Sequence, residues 1–421
     1  GDQLLVSSHN PVEIRIKIRV EVKLLRIKMY PAGNGDAFLI NSDGANLLVD
    51  AGYSSTFNQY ILNDLNYLAS TGGRLDLLIT THIDADHISG VIRFLLLNGH
   101  STQPNIIPID EIWHNSLRSI TNQGLIGLSS DDVDVLNAIC LRGHPPTQDD
   151  EDSSISEISA RQGSTLAKLI NKGGYKWNGA DGTKCISVDN TSNKTLPNGS
   201  ICVIAPRRER LEALVRWWKK EIQVLGYSGA ESSENVIDDA FELMCGHLSN
   251  ENEISPILLS SAPPRTLEDA YLPDNSRTNG SSIATIIVLN GKRFLMLADA
   301  WAEDIVAELQ KLRAIGHSMI FDVVKVSHHG SLRNTSPDFL DMIDAKVFLF
   351  SSNGYKHGHP DFQVLSAIVD RVSPFVRRFY FNYSTPASRA LKQYCSKSHN
   401  QFLVFENATD WIDIEEVQNN D

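Results

Sequence analysis

A chain of 421 residues exceeds one ordinary core and implies either one large domain with an insertion or two domains. At 42% hydrophobic and 21% charged, its composition excludes a disordered chain. A net charge of −13, from 38 basic and 51 acidic residues, excludes a general polyanion binder, so a nucleic-acid substrate would need local positive charge or metal ions.

Apolar and charged residues alternate from Val12 to Met29 (VEIRIKIRVEVKLLRIKM), the period of a strand. Leu24 and Leu25 break the phase, so two strands or one bulged strand are expected, with residues 1–23 as an N-terminal extension. PAGNGDAFLI is a Gly-rich turn into a further strand. NLLVDAG ends another at Asp50 and Gly52, and a helix follows near 57–70. LDLLITTH is a buried strand delivering His82, and ISGVIRFLLLN reads as a helix starting just after it.

Residues 115–274 read as a mainly helical insertion. Acids cluster from Asp131 to Glu157, and TQDDEDSSIS reads as a loop. PRRERLEALVRWWKKEIQVL is an amphipathic helix with Leu211, Leu214, Val215, Trp218 and Ile222 on one face. Its stretch 207–220 holds six basic and two acidic residues, a net +4, beside Trp217. The apolar spacing already accounts for Trp218, so a core face with a solvated basic side outweighs a nucleic-acid contact.

Strand patterning returns at SSIATIIVL, KRFLMLADA, DVVKVSHHG and KVFLFSSNG. No stretch is apolar enough to span a membrane: IATIIVLNGKRFLMLA is interrupted by Asn290, Gly291, Lys292 and Arg293 and reads as a hairpin. The five cysteines (Cys140, Cys185, Cys202, Cys245, Cys395) form no CxxC pair, and the N-terminus has no apolar signal core. A cytoplasmic protein with free thiols is expected.

The chemistry concentrates at strand ends. In HIDADH, His82 and Asp84 stand two apart and can share one ion, while Asp86 and His87 lie further round the turn and can reach a second. Imidazole and carboxylate both suit zinc, and a carboxylate in place of an imidazole makes a site harder and more tolerant of manganese. The competing reading is a helix N-cap, in which Asp84 or Asp86 satisfies free amides. Asp299 in LADA, His328 and His329 in SHHG, and His357 and His359 in KHGHP end other β-patterned segments, where α/β ligand sites gather.

HIDADH, LADA and SHHGS, in this order, resemble the metallo-β-lactamase fold. The resemblance is closest to the metal-binding domain of the DNA-uptake channel family ComEC/Rec2, which has HxDxDH for the usual HxHxDH. GNGDAFLI with LLVDAG, TNGSSIATIIVLNGKRFLMLADA, KVSHHGS and NGYKHGHP are similar too. The likeness covers about residues 24–110 and 275–408 and leaves out the channel's membrane-spanning part. It implies an αββα sandwich, its first half at 24–114 and its second at 275–421, with two divalent ions, Zn2+ or Mn2+, in a groove at one edge.

On that likeness His82 and Asp84 hold the first ion, Asp86, His87 and one of His328 and His329 the second, and Asp299 bridges. His328, nearest the strand, is the expected ligand, with His329 beside the ions or against substrate. Asp86 also orients the attacking hydroxide, and His359 or His329 protonates the leaving oxygen or contacts a phosphate oxygen. Asp50 orients a ligand. A further histidine, usual between the first motif and the bridging aspartate, is not placed. His114, His144 and His247 have no motif support, so the first site is expected to be weak or completed by water.

The expected function is a two-metal phosphodiesterase or nuclease acting on DNA or nucleotides. By analogy with stand-alone relatives in bacterial antiphage systems, a role in antiviral defence is expected. Hydrolysis of another ester or lactone uses the same centre. A vestigial site in a partner-binding protein, with the insertion as the docking element, is the reading from a different class.

Overall fold

The computed structural model describes residues 24–121, 135–137, 139, 165–190, 193–224, 226, 235–248 and 266–414. The N-terminal extension, most of the acidic run 131–157, Cys140, His144 and the side chain of His247 lie outside the described residues.

The first sheet begins with β1 (Leu25–Met29), β2 (Phe38–Ser42) and β3 (Ala45–Val49), an antiparallel meander. In β1 the alternation sends Leu25, Ile27 and Met29 inward, while Arg26 and Lys28 lie over the Trp411 ring outside. After helix α1 (Leu62–Ser70) the chain adds β4 (Leu77–Ile79) parallel to β3. Helix α2 (Ala85–Asn98) then leads to β5 (Ile112–Trp113), parallel to β4.

The segment read as an insertion begins with α3 (Leu117–Thr121) and α4 (Leu166–Lys172). It continues with β6 (Asn193–Leu196), β7 (Gly199–Ala205), α5 (Arg208–Val224) and α6 (Asn235–Leu248). Its helices are as expected, but β6 and β7 are not loop or helix: β7 pairs antiparallel with β8 (Ala284–Leu289) and so belongs to the second sheet. The pairing partner lies some eighty residues away, beyond the reach of a local pattern. Helix α5 buries Leu211, Leu214, Val215, Trp218 and Ile222, the face expected, and its Arg210 forms a two-pronged ion pair with Asp304 at 2.7 and 2.9 Å.

The hairpin read from IATIIVLNGKRFLMLA is β8 with β9 (Lys292–Met296). From β9 onward the strands run parallel, each reached through a helix: α7 (Ala302–Ala314), β10 (Ile320–Lys325), α8 (Pro337–Met342) and β11 (Asp344–Phe350), then α9 (Phe362–Asp370), β12 (Arg377–Phe381), α10 (Pro386–Lys392) and β13 (Phe402–Phe405). A final strand, β14 (Trp411–Asp413), returns to pair with β1. The strand orders are β14-β1-β2-β3-β4-β5 and β13-β12-β11-β10-β9-β8-β7-β6.

Three cores make the four layers. Ile27, Phe38, Ile40, Leu47, Val203, Phe294, Val323 and Val347 join the inner faces of the two sheets. Phe57, Phe94, Leu211, Trp218 and Phe241 lie between the first sheet and its helices, and Ile305, Phe321, Phe339, Leu365 and Phe379 between the second sheet and its own. Both halves repeat one device: a hairpin (β2–β3, β8–β9), a helix, then a parallel strand (β4, β10). Among the described residues no helix is long and apolar enough to cross a membrane, and Cys185, Cys202, Cys245 and Cys395 are free.

Candidate metal centre

Four strands of the repeated device end at one place. Asp50 follows β3, His82 follows β4, Asp299 follows β9, and His328 and His329 follow β10. The backbone turns sharply there: Asp50, Ala298, His328 and His329 all have positive φ, between 44° and 58°. Left-handed backbone costs a non-glycine residue about 1 kcal/mol or more, and such strain gathers at functional sites.

The HIDADH segment differs from the sequence reading in one respect. Helix α2 starts inside the motif, at Ala85, so Asp86 and His87 ride on its first turn and not on the preceding loop. Asp84 takes the N-cap position, yet its carboxylate accepts no hydrogen bond from the helix amides. Its Oδ2 instead faces His82 Nε2 at 3.5 Å, and its Oδ1 is buried without a partner. The capping explanation of Asp84 therefore fails. Helix α2 comes this close because of two glycines. A Cβ at Gly35 would stand 1.8 Å from the Asp86 carbonyl oxygen, and one at Gly90 would stand 2.1 Å from that of Ala51.

Four imidazoles present Nε2 to one oxygen. Asp299 Oδ2 is 3.8 Å from His82, 3.6 Å from His87, 3.9 Å from His328 and 3.6 Å from His329. These separations are too long for hydrogen bonds. They suit an intervening cation, since bonds near 2.1 Å put two ligands of a tetrahedral ion about 3.4 Å apart. The Nε2 atoms of His82 and His87 are buried with no hydrogen-bond partner, which a native core tolerates only when something else satisfies them.

Three of the four rings are hydrogen-bonded through the other nitrogen. His82 Nδ1 meets Thr81 Oγ1 at 3.0 Å, and His87 Nδ1 meets Asp50 Oδ2 at 2.9 Å. Asp50 also accepts from the Thr81 amide and hydroxyl at 2.8 and 2.7 Å. His329 Nδ1 faces Asp36 Oδ1 at 3.4 Å. His328 Nδ1 meets Asn334 Oδ1 at 2.8 Å, and the Asn334 amide donates to Asp274 and to the Asp299 carbonyl. With both amide protons of Asn334 spent, its oxygen accepts, so His328 carries its proton on Nδ1. Distal-nitrogen anchoring of this kind orients imidazole toward a metal.

Four ligand groups result among the described residues, each with atoms within 4.8 Å of one another: His82, His87 and Asp299; Asp86, His87 and His329; Asp299, His328 and His329; and Asp36, Asp50 and His87. The structure thus brings together His82, Asp86, His87, Asp299, His328 and His329, with Asp84 against His82. His329, and not the expected His328, shares a group with Asp86 and His87. Both residues have positive φ, which turns both rings inward where an extended strand would alternate them, and His328 joins the group of Asp299 and His329. Asp86 Oδ2 accepts from Asn34 at 2.6 Å, and Asn34 in turn accepts from the Tyr53 hydroxyl.

The further histidine remains unplaced. His114 is buried, holds Glu242 at 2.7 Å through Nε2, stacks on Trp177 and joins no ligand group among the described residues. His359 sits beside His328, ring centroids 5.3 Å apart, with Nδ1 3.3 Å from Asp361. Its burial and the neighbouring histidines hold its pKa below the usual imidazole value, despite Asp361. A neutral His359 suits a hydrogen-bond donor better than a proton source. Burial also lowers His357, to about 3, reinforced by Lys356 and the other histidines.

The electrostatics call for positive charge. Burial pushes the Asp299 carboxyl up, but His329, His328, His87 and Lys325 outweigh it and hold the pKa well below the ordinary value. Asp84 is likewise lowered, by His82 and His87 against its burial. Conversely, burial lowers His87 while Asp299 and Asp50 raise it well above the ordinary imidazole. Sequence reasoning missed Asp36, Asn34, Asn334 and Lys325. The signal for Lys325 was present: a lysine inside the apolar run VVKVS needs a buried partner. That partner is Asp36 of GNGD, in direct contact with its ammonium.

Residues 30–156 match the family model of the metallo-beta-lactamase superfamily, a span that contains GNGD, VDAG and HIDADH. The chain carries a metallo-beta-lactamase superfamily domain. Its fold is the metallo-beta-lactamase αββα sandwich with additional helices and strands, the metal-centre residues lying at one edge where both halves end their strands. Among solved structures, the metallo-beta-lactamase fold protein YhfI from Bacillus subtilis is similar at 11% identity, over 92% of this chain and 99% of that one, with a TM-score of 0.36. CmlA, a diiron beta-hydroxylase from Streptomyces venezuelae, is similar at 11% identity over 94% of this chain and 54% of that one, with a TM-score of 0.35. No curated protein matches the chain.

Proposed function

We propose that this metallo-beta-lactamase fold protein is a two-metal hydrolase of phosphodiesters, acting on DNA or a nucleotide. The observation that carries the metal reading is the convergence of four imidazoles, at 3.6–3.9 Å, on a single oxygen of Asp299. Charge supports two ions. Asp36, Asp50, Asp84, Asp86 and Asp299 bring −5 and Lys325 brings +1, so two divalent cations make the sum zero. His82, Asp84 and Asp299 would hold one ion, and Asp86, His87, His329 and Asp299 the other, with His328 facing the shared oxygen. The mixed imidazole–carboxylate set suits zinc or manganese.

Two such ions acidify water to a pKa near neutrality and offset the negative charge that a phosphoryl group develops during attack. The protein's own groups supply direction. Asn34 pins one oxygen of Asp86, which leaves the other to orient the attacking water. His359, neutral and next to His328, donates a hydrogen bond to a non-bridging oxygen of the substrate. The phosphodiester class rests on the likeness of HIDADH, LADA and SHHGS to the DNA-uptake domain and not on the centre itself. Purified protein supplied with Mn2+ or Zn2+ is expected to cleave DNA or a model phosphodiester, and Asp86→Ala and Asp299→Ala to abolish cleavage while circular dichroism stays unchanged. Undiminished cleavage in both variants contradicts the reading.

A further inference from the structure

Lys325 is the last residue of β10, and its side chain is 1% exposed. A buried ammonium costs several kcal/mol unless it is paired and hydrogen-bonded. Its ammonium touches Asp36 Oδ2 directly, donates to the Ala298 carbonyl at 2.8 Å and forms an ion pair, without a hydrogen bond, with Asp299 Oδ1 at 3.5 Å. Asp36, Asp50 and His87 by themselves form a ligand group of the kind that holds a cation, and the lysine ammonium already pairs with its Asp36. The contacts close a ring. Lys325 meets Asp36, Asp36 Oδ1 faces His329 Nδ1 at 3.4 Å, and His329 Nε2 faces Asp299 Oδ2 at 3.6 Å, while Oδ1 of the same carboxylate returns to Lys325.

A carboxylate with two free oxygens chelates one cation as readily as it bridges two. In Asp299 the oxygens are divided: Oδ1 faces an ammonium and Oδ2 faces four imidazoles. We propose that Lys325, braced by Asp36, is a positioning residue that confines Asp299 to a single-oxygen bridge and so holds two ions at one fixed separation. The inference rests on the metal-centre reading above. The competing role is purely structural, in which Lys325 does no more than neutralise Asp36 in the core.

The double substitution Lys325→Met with Asp36→Asn separates these roles. It removes one charge of each sign, leaves no ion unpaired, and keeps an amide oxygen for the His329 ring. A structural role leaves ion binding as in the unsubstituted protein. Positioning requires that the second ion bind at least about 10-fold more weakly, the usual cost of losing a ligand's support. Mn2+ titration followed by paramagnetic resonance reads both quantities. The unsubstituted protein is expected to take up two Mn2+ with the spectrum of a coupled pair, and the double variant to hold one tightly with the spectrum of isolated Mn2+. Two coupled ions at unchanged affinity in the double variant overturn the inference while leaving the metal-centre reading intact. Fewer than two Mn2+ in the unsubstituted protein overturns both. Should the double variant fail to fold, a crystal structure of the Mn2+-loaded unsubstituted protein decides: Asp299 Oδ1 on Lys325 with both ions on Oδ2 supports the inference, and an ion on Oδ1 overturns it.

Discussion

All four imidazoles of the centre direct one nitrogen at Asp299, and in three of them the other is hydrogen-bonded, to partners that differ in kind: a hydroxyl, a carboxylate and an amide. The amide is the most easily removed. Asn334→Ala frees the His328 ring to rotate and leaves Asp274 with its donors Asn279 and the Ser276 amide. Ion affinity is expected to fall about 10- to 100-fold, the usual effect of losing a ligand's orienting partner. Calorimetric titration with Zn2+ or Mn2+ measures it, and an unchanged dissociation constant would show that Asn334 does not orient a ligand. His82, Asp84, Asp86, His87 and Asp299 were legible in the sequence because such side chains cluster there at strand ends and in the helix turn that follows one. The pairing of Asp36 with Lys325 was not, since it joins positions 289 residues apart, although a lysine inside an apolar run signals a buried partner.

At the scale of elements, two surfaces bring helix α2 against the strand-end turns, and both depend on glycine. Gly35→Ala puts a methyl group into the Asp86 carbonyl, and Gly90→Ala puts one into that of Ala51. Backbone must move in either case, at a cost of about 1–3 kcal/mol. Gly35→Ala is expected to lower the melting temperature and, by shifting Asp86, the ion content as well, which a thermal melt with metal analysis would show. The helices of the segment 115–274 contain a separate buried acidic cluster. Asp239 on α6 is pushed up to about 6, chiefly by burial, with Glu242 adding to it against the Thr165 hydroxyl. Its folded pKa exceeds its unfolded value, so between about pH 4 and 6 the folded state binds more protons and stability falls as pH rises. Asp239→Asn is therefore expected to raise the melting temperature at pH 8 and to leave it unchanged at pH 4. A gain confined to pH 4 would reverse that sign. The amphipathic face of α5 and the β8–β9 hairpin were readable because both follow local periodicity. Strands β6 and β7 were not, because what makes them strands is an edge of the second sheet formed much later in the chain.

For the molecule as a whole, the centre links the halves. His82, Asp86 and His87 come from one side of the sandwich, and Asp299, His328 and His329 from the other. Ions held between them stabilise the folded state by mass action, so a chelator is expected to lower the melting temperature. The effect depends on pH with a definite sign. Without ions His87 is raised well above the ordinary imidazole pKa, so its contribution to stability is complete below pH 6.5 and declines as pH rises toward its folded pKa. Ions compete with that proton and bind more tightly as it leaves. The gap in melting temperature between ion-loaded and chelated protein is therefore expected to widen from pH 6 to pH 8.5, and a gap that narrows would be contrary to a metal at this site. The most direct measurement is the number of divalent ions per chain in protein purified without chelator and dialysed against Mn2+ or Zn2+, counted by elemental analysis. Two ions per chain, falling when Asp299→Ala is introduced, is the expected result, and less than one ion per chain in the unsubstituted protein contradicts the two-metal centre.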